Sequence, residues 1–148
     1  MPYRERLNIV NILSGVLITA LYSWIVYQRY LEGRFDLTRD FRAWGKIFLV
    51  FLAVSIGARI IIMIVFHIMN AIATRETDIP VEDERDKLIK LKSTRNTYYV
   101  FVSFLFAGFV LLAIGMPVWG LFPVYVLGGL LSEIVDNTSQ IYYYRKGV

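Results

Sequence analysis

The stretch that decides the fold is residues 80–99, PVEDERDKLIKLKSTRNTYY, a long charged segment with apolar runs on both sides. Acidic residues crowd its beginning, where carboxylates complement the positive end of a helix dipole, and basic residues follow. We expect Pro80 to stop whatever precedes it, because proline fixes φ and lacks an N–H donor. No helix breaker separates Asp83 from the apolar run at Tyr98, which predicts one helix that continues from the cytosol into a membrane.

Residues 82–95, here named the collar, allow two interpretations. Charge runs usually mark solvated faces, which favours a collar that only keeps a helix end in water. Asp83 with Lys87 and Asp86 with Lys90 would then support the helix as acid-before-base pairs, by a few tenths of a kcal/mol each. The alternative is a docking surface for a cytoplasmic partner, made of Asp83, Glu84, Arg85, Asp86, Lys87 and Arg95.

The collar also carries a family resemblance. The run Asp83-Glu84-Arg85-Asp86-Lys87-Leu88-Ile89, followed by Lys92, Arg95 and Tyr98-Tyr99, resembles an uncharacterised family of small prokaryotic integral-membrane proteins. The resemblance covers roughly the second half of the chain. It implies a prokaryotic membrane protein with four helices, and it transfers no catalytic residue, because that family has no established function.

The composition is typical of a membrane protein. Hydrophobic residues make up 57% of the 148 positions and lie in blocks, whereas soluble domains average about 45–50%. The net charge of +4 suits anionic lipid headgroups, and no basic–aromatic groove indicates a nucleic-acid partner. The absence of cysteine excludes disulfides and thiol chemistry, and the single histidine, His67, excludes a multi-histidine metal site. No motif indicates a nucleotide or another cofactor.

Four apolar runs are long enough to cross a hydrocarbon core of about 30 Å. They predict an all-α, polytopic membrane protein whose four helices form a bundle, with the third helix extended into the cytosol. The predicted spans of this single domain are residues 7–27, 47–73, 98–116 and 121–144, with residues 74–97 as a charged cytoplasmic segment. We interpret the first run as a retained helix, because it is long and lacks a small-x-small cleavage site.

The basic residues predict the orientation. An even number of spans places both termini on one side of the membrane. That side carries ten lysines and arginines, two near each terminus and six in residues 74–97, whereas the other side carries five, in residues 28–46. The positive-inside rule therefore favours a multi-pass protein of the cell membrane with both termini cytoplasmic.

Polar side chains inside the predicted spans fall on single helix faces. Lipid cannot satisfy such a stripe, so each stripe must face protein or water. The fourth span carries Gly129, Glu133, Asp136, Asn137, Gln140 and Tyr144, and the first carries Asn8, Asn11, Gly15, Thr19 and Tyr22. The second span carries Ser55, Arg59, Phe66 and Asn70, with His67 to one side. We interpret His67 as an interface residue near a helix end rather than a proton relay.

Arg59 lies near the middle of its span, where a charge costs from about 2.5 to well above 10 kcal/mol unless it is paired or solvated. The second and fourth spans run in the same direction. Arg59 follows Lys46 by 13 residues and Glu133 follows Leu121 by 12, so both lie roughly 18–20 Å from the same face. The sequence therefore predicts an Arg59–Glu133 ion pair, with Asp136, one turn further on, as a reserve acceptor. It leaves open whether the pair is structural or belongs to an ion or proton path.

Two classes of function fit these features. The first is a non-enzymatic interaction or regulatory module in the bilayer, which would bind another membrane protein or itself as a homodimer through the collar and the polar stripes. The second is a small dimeric transporter or channel, with Glu133 as the residue that couples transport to an ion or proton and Arg59 as its modulator. An enzyme is the weakest alternative, because no nucleophile stands at a plausible spacing from a base. Two carboxylates, Glu133 and Asp136, are too few ligands for a metal.

Overall fold

The computed structural model describes residues 3–34, 36–74 and 82–147. Helix α1 covers Tyr3–Leu31, α2 covers Phe41–Thr74, α3 covers Glu84–Ala113 and α4 covers Leu121–Lys146, with a single 3-10 turn at Val118–Gly120 before α4. All four helices are long and apolar enough to cross a membrane. Since these residues contain no strand, the all-α class predicted from the sequence is confirmed.

Helices α1 and α2 are longer than the apolar runs that predicted them. The first begins at Tyr3, so the basic residues before position 7 lie in its first turns. The second begins at Phe41 rather than at residue 47, because the Asp40 carboxylate accepts hydrogen bonds from the N–H groups of Arg42 (2.9 Å) and Ala43 (3.3 Å). Hydropathy therefore marks the stretch that suits hydrocarbon, whereas the Asp40 cap decides where α2 starts.

Helix α3 is one uninterrupted helix of 30 residues, as the sequence predicts. Its N-cap is Asp83, which accepts from the N–H of Asp86 (2.7 Å), while the Asp86 side chain accepts from the N–H of Asp83 (3.2 Å). This reciprocal capping box fixes the start of the helix. Among the described residues neither carboxylate pairs with Lys87 or Lys90, so the acid–base pairs predicted from spacing are wrong. Pro80 lies outside the described residues.

The capping box predicts a measurable contribution to stability. Replacement of Asp83 by alanine should cost about 1 kcal/mol of unfolding free energy, because the N–H of Asp86 loses its acceptor. Glu82→Ala is the matched control, since Glu82 is exposed and is not the capping residue. Thermal unfolding of the detergent-solubilised protein, followed by circular dichroism, measures both. Equal effects of the two substitutions would show that the box does not stabilise α3.

The turn after α3 ends the helix three residues before the predicted end of the third span. Gly115 adopts φ +96°, the left-handed conformation that glycine favours. The N–H groups of Gly115 and Met116 donate to carbonyls of the last turn, at 3.0 Å each, in a Schellman motif. Met116 therefore lies in the turn, and α3 ends at Ala113.

Helix α4 packs against both α3 and α1, and α2 lies mainly against α1. Glycines allow these close approaches. A Cβ atom at Gly128 of α4 would lie 2.7 Å from the Cβ of Phe104 in α3, and one at Gly108 of α3 would lie 2.7 Å from the Tyr125 hydroxyl. Small residues at such crossings let helix backbones approach each other closely.

The interior of the molecule is largely polar and its surface apolar. The buried hydrophobic side chains of the described residues are Ile18, Ala43, Trp44 and Ile89. The buried polar ones are more numerous: Glu5, Asn8, Ser14, Ser93, Ser132 and Asn137. Large aliphatic and aromatic side chains cover the outer faces of all four helices. A soluble domain would show the opposite distribution, so this arrangement suits a surface in contact with lipid.

Candidate functional site

The centre of the candidate site is an ion pair between α2 and α4. The guanidinium of Arg59 contacts both carboxylate oxygens of Glu133, and its Nη2 donates a hydrogen bond to Oε2. The ion pair predicted from depth along the two helices is therefore present. Gly15 of α1 makes room for it, because a Cβ at that position would lie 2.9 Å from each carboxylate oxygen. Three helices thus meet at one pair of charges.

A cleft of about 380 Å³ lies beside this pair, between α1, α2 and α4. Its lining includes Thr19, Ser55 and Gly129 as well as the charged pair. The side chains of Arg59 and Glu133 are 38% and 24% exposed, so the pair is open on one side. The hydroxyl of Ser55 is enclosed and makes no hydrogen bond within the described ranges. The cleft therefore presents polar and charged groups between helices whose outer faces are apolar.

The other polar residues of α4 face different neighbours. Asp136, predicted as a reserve acceptor for Arg59, accepts from Thr97 of α3 (3.3 Å) and from Gln140 one turn on (3.1 Å). Asn137 accepts from the Asn11 amide of α1 at 3.2 Å. The stripe predicted on one arc is therefore divided between α1, α2 and α3. Within the described residues Asp136 makes no ion pair with Arg59, and its role as a reserve acceptor when Glu133 is lost stays a prediction.

The predicted polar residues near the start of α1 lie at its contacts with α2 and α4. Asn8 is 3% exposed, and its amide nitrogen has no hydrogen-bond partner in the part of the chain that the structure describes. The Tyr3 hydroxyl lies 3.1 Å from Nδ1 of His67, and the two rings stack. His67 therefore links the late part of α2 to the start of α1.

A second cluster of charges joins three helix ends. Asp86 and Tyr144 of this cluster were singled out from the sequence, whereas Arg4, Glu5 and Arg145 were not. Arg4 of α1 donates to Asp86 of α3 (3.1 Å), which also accepts from the Tyr144 hydroxyl of α4 (2.5 Å). Arg145 donates to Glu5 of α1 at 3.1 Å, and Glu5 is 6% exposed. One signal was available for Glu5: it precedes Asn8 by three residues and so extends the polar stripe of α1 by one turn.

The electrostatics of this cluster favour the ionised form of Asp86. Burial by itself would raise the pKa of its carboxyl group. Hydrogen bonds from the Tyr144 hydroxyl and the Asp83 N–H, together with the charge of Arg4, outweigh burial and hold that pKa below its ordinary value. Asp86 is therefore an internal linker of the fold at neutral pH rather than a free contact residue.

The collar residues predicted as a contact surface are thus divided. Asp86 is used inside the fold, and Asp83 caps α3. Arg85 is exposed, and its guanidinium donates to the Tyr144 carbonyl at 3.1 Å. Glu84, Lys87 and Arg95 are exposed and make no ion pair within the described ranges. The free part of the collar is consequently more basic than the sequence of the whole collar indicates.

Comparison of the chain with models of protein families, with curated proteins and with solved structures gives no match. Among the described residues no group of three or more His, Cys, Asp or Glu side chains is placed to hold a metal ion. The polar groups of the site are charge pairs and amides, which lie between apolar helices. Such groups hold helices together, bind a polar partner segment, or hold a charge within the membrane.

Proposed function

We propose that this chain is a multi-pass protein of the cell membrane, with its four helices in a bundle and both termini and the collar in the cytosol. The ten-to-five distribution of basic residues supports this orientation. The pairs Arg4–Asp86 and Glu5–Arg145 support a common side, because they bring the start of α1, the start of α3 and the end of α4 together. The prokaryotic origin implied by the family resemblance stays a prediction.

Reporter fusions test this orientation. Fusions after Arg39, Arg85 and Val148 should report outside, inside and inside, because the basic excess holds the collar and the termini in the cytosol. Alkaline phosphatase and a fluorescent protein that folds only in the cytosol give complementary signals at each position. An outside signal at Arg85 would contradict the proposed orientation.

We further propose that the protein is a non-enzymatic interaction module, which binds another membrane protein or a second copy through its helices. The observation that carries this proposal is the half-open Arg59–Glu133 pair with its cleft of about 380 Å³. At the middle of a span, lipid tails satisfy neither a charge nor the hydroxyl of Ser55. A helix from a partner, bearing a polar or small residue at this depth, would cover the open side of the ion pair.

Photo-cross-linking in cells tests the interaction module. A diazirine amino acid at Ser55, which lines the cleft, should give a discrete protein adduct. The same amino acid at Ile61, which is 64% exposed on the apolar surface of α2, is the matched control and should label lipid. Adducts with lipid alone from both positions would contradict the proposal, since they would show that no protein segment covers the cleft.

The alternative function, an ion- or proton-coupled transporter or channel, is favoured by one observation. Glu133 is a carboxylate in the middle of a span that opens into a cleft, and transport sites commonly lie at this depth. Reconstituted vesicles with an imposed pH gradient distinguish the two functions. Transport predicts flux that Glu133→Gln and Glu133→Asp both abolish, whereas an interaction module predicts no flux above that of vesicles without protein.

A further inference from the structure

The free face of α3 carries a stripe of largely apolar side chains that, in the proposed orientation, continues beyond the membrane. Leu88, Leu91, Arg95 and Tyr98 follow one another at intervals of three, four and three residues, the spacing of a helix-pairing seam. Leu88 is 44% exposed, Leu91 69% and Tyr98 62%. The opposite face, with Ile89 and Ser93 fully buried, is the one that packs inside the molecule.

Lipid tails do not account for the two leucines in the proposed orientation. Tyr98 begins the predicted span, where interfacial aromatic residues belong. Leu88 precedes it by ten residues, which is about 15 Å along a helix axis. The headgroup layer on each side of the hydrocarbon core adds only about 5–8 Å. The hydrogen bond from Tyr144 to Asp86 holds this end of α3 against the end of α4, within the charged cluster that includes Arg4.

The charges around the leucines are mainly basic. Lys87 and Arg95 lie on the same face as the leucines, both exposed, and Lys92 flanks it. Glu84, one turn before Leu88, is the acidic residue of this face. Asp83 caps α3 and Asp86 pairs with Arg4, and within the described ranges neither carboxylate forms an ion pair with the basic residues of this face.

A second copy of the chain fits this face poorly. Two copies in one membrane run parallel, and parallel helices in register place each seam residue opposite its own equivalent. Arg95 would then face Arg95, and Glu84 would face Glu84. Lys87 of one copy would also lie near Lys92 of the other, at the flanking positions that decide partner choice. Like charges at these positions oppose pairing.

We infer that this face, Leu88 and Leu91 bordered by Lys87 and Arg95, binds an acidic amphipathic helix of a cytoplasmic partner protein. The partner's apolar residues cover the two leucines, and its carboxylates pair with the basic side chains. The inference rests on the proposed function and names the chemistry of one partner. The face of Leu88 and Leu91 is separate from the cleft beside Arg59 and Glu133, so an experiment can exclude binding at one of these surfaces and leave the other.

A peptide-binding measurement tests the inference. The probe is a fluorescent peptide of three heptads with leucine on one face and glutamate on the others, and its control has the same composition in shuffled order. Full-length protein in nanodiscs of neutral phosphatidylcholine should bind the amphipathic peptide at least about tenfold more tightly than the shuffled one. Leu91→Gln should weaken binding by about tenfold, and Lys87→Gln with Arg95→Gln should weaken it and reduce its salt dependence. Arg34→Gln, an exposed arginine in the connection between α1 and α2, should change nothing. Equal binding of both peptides would overturn the inference.

The chain has no cysteine, so a Leu91→Cys substitution places a single thiol on this face and allows its binding partner to be identified. A polar maleimide should label this position in neutral and anionic nanodiscs alike, and the acidic peptide should protect it. Protection by anionic phospholipid alone would assign the face to the membrane surface, and disulfide-linked dimers would assign it to a second copy. Either result overturns the inference. If Ser55 gives protein adducts but the acidic peptide does not bind, the interaction module is supported and only the inference of an acidic partner is contradicted.

Discussion

Replacement of either Arg59 or Glu133 by leucine should lower the free energy of unfolding by about 3–5 kcal/mol, and the double replacement should recover much of that loss. The reason is that each single variant leaves an unmatched charge near the middle of a span, whereas the double variant leaves two apolar side chains. Gly15 lies close to the Glu133 carboxylate, since a Cβ there would lie 2.9 Å from each oxygen, and this contact limits how far the side chain can move.

Thermal unfolding in one detergent, for the two single variants and the double variant, measures the coupling between the two residues. Asp136→Asn should not change that coupling, because the structure commits Asp136 to Thr97 and Gln140. The exposed pair Glu32–Arg34 is the matched control, and its leucine variants should cost about 1 kcal/mol or less. Additive losses at Arg59 and Glu133 would show that the two side chains do not stabilise each other.

Two adjacent glycines of α4 should respond to alanine in opposite directions. Gly128→Ala should destabilise the protein by about 1–3 kcal/mol, because the new Cβ would lie 2.7 Å from the Cβ of Phe104, which is too close to the α3 backbone to move aside. Gly129→Ala meets nothing within 4 Å and should stabilise the helix by up to about 1 kcal/mol.

The same comparison with leucine should widen the difference, because a larger side chain at position 128 forces α3 and α4 apart, while at position 129 it enters the cleft beside Arg59. Unfolding temperature in detergent and protection of α3 from proteolysis are the two readouts. Similar effects of Gly128→Ala and Gly129→Ala would contradict the close crossing of α3 and α4.

Much of the fold could be predicted from the sequence. An apolar run long enough to span a bilayer is expected to be helical, since a spanning helix satisfies its own backbone hydrogen bonds. The ends could not be predicted from hydropathy. Asp40 and Gly115 decide where α2 begins and where α3 ends, through hydrogen bonds and a backbone conformation that carry no hydropathy signal.

The candidate site, too, could be predicted from the sequence only in part. Arg59 and Glu133 could be paired because a charge at mid-span demands a partner, and helical rise converts residue counts into depth. The partner of Asp136 could not be predicted, because depth does not say which helix lies beside each face of α4. Glu5 was missed because it precedes the apolar run, and its burial depends on Arg145 at the far end of the chain.

The most direct test of the account is the depth of the Arg59–Glu133 pair in the bilayer. Ile60 is 55% exposed beside Arg59, and a spin label on Ile60→Cys is the one thiol label in this cysteine-free chain. Electron paramagnetic resonance in lipid vesicles compares its accessibility to oxygen with its accessibility to a water-soluble nickel chelate, with Leu88→Cys as the reference outside the membrane. The account predicts high oxygen and low nickel accessibility at position 60, and the reverse at position 88. High nickel accessibility at position 60 would contradict it, because the charged pair would then lie in water and not within the bilayer.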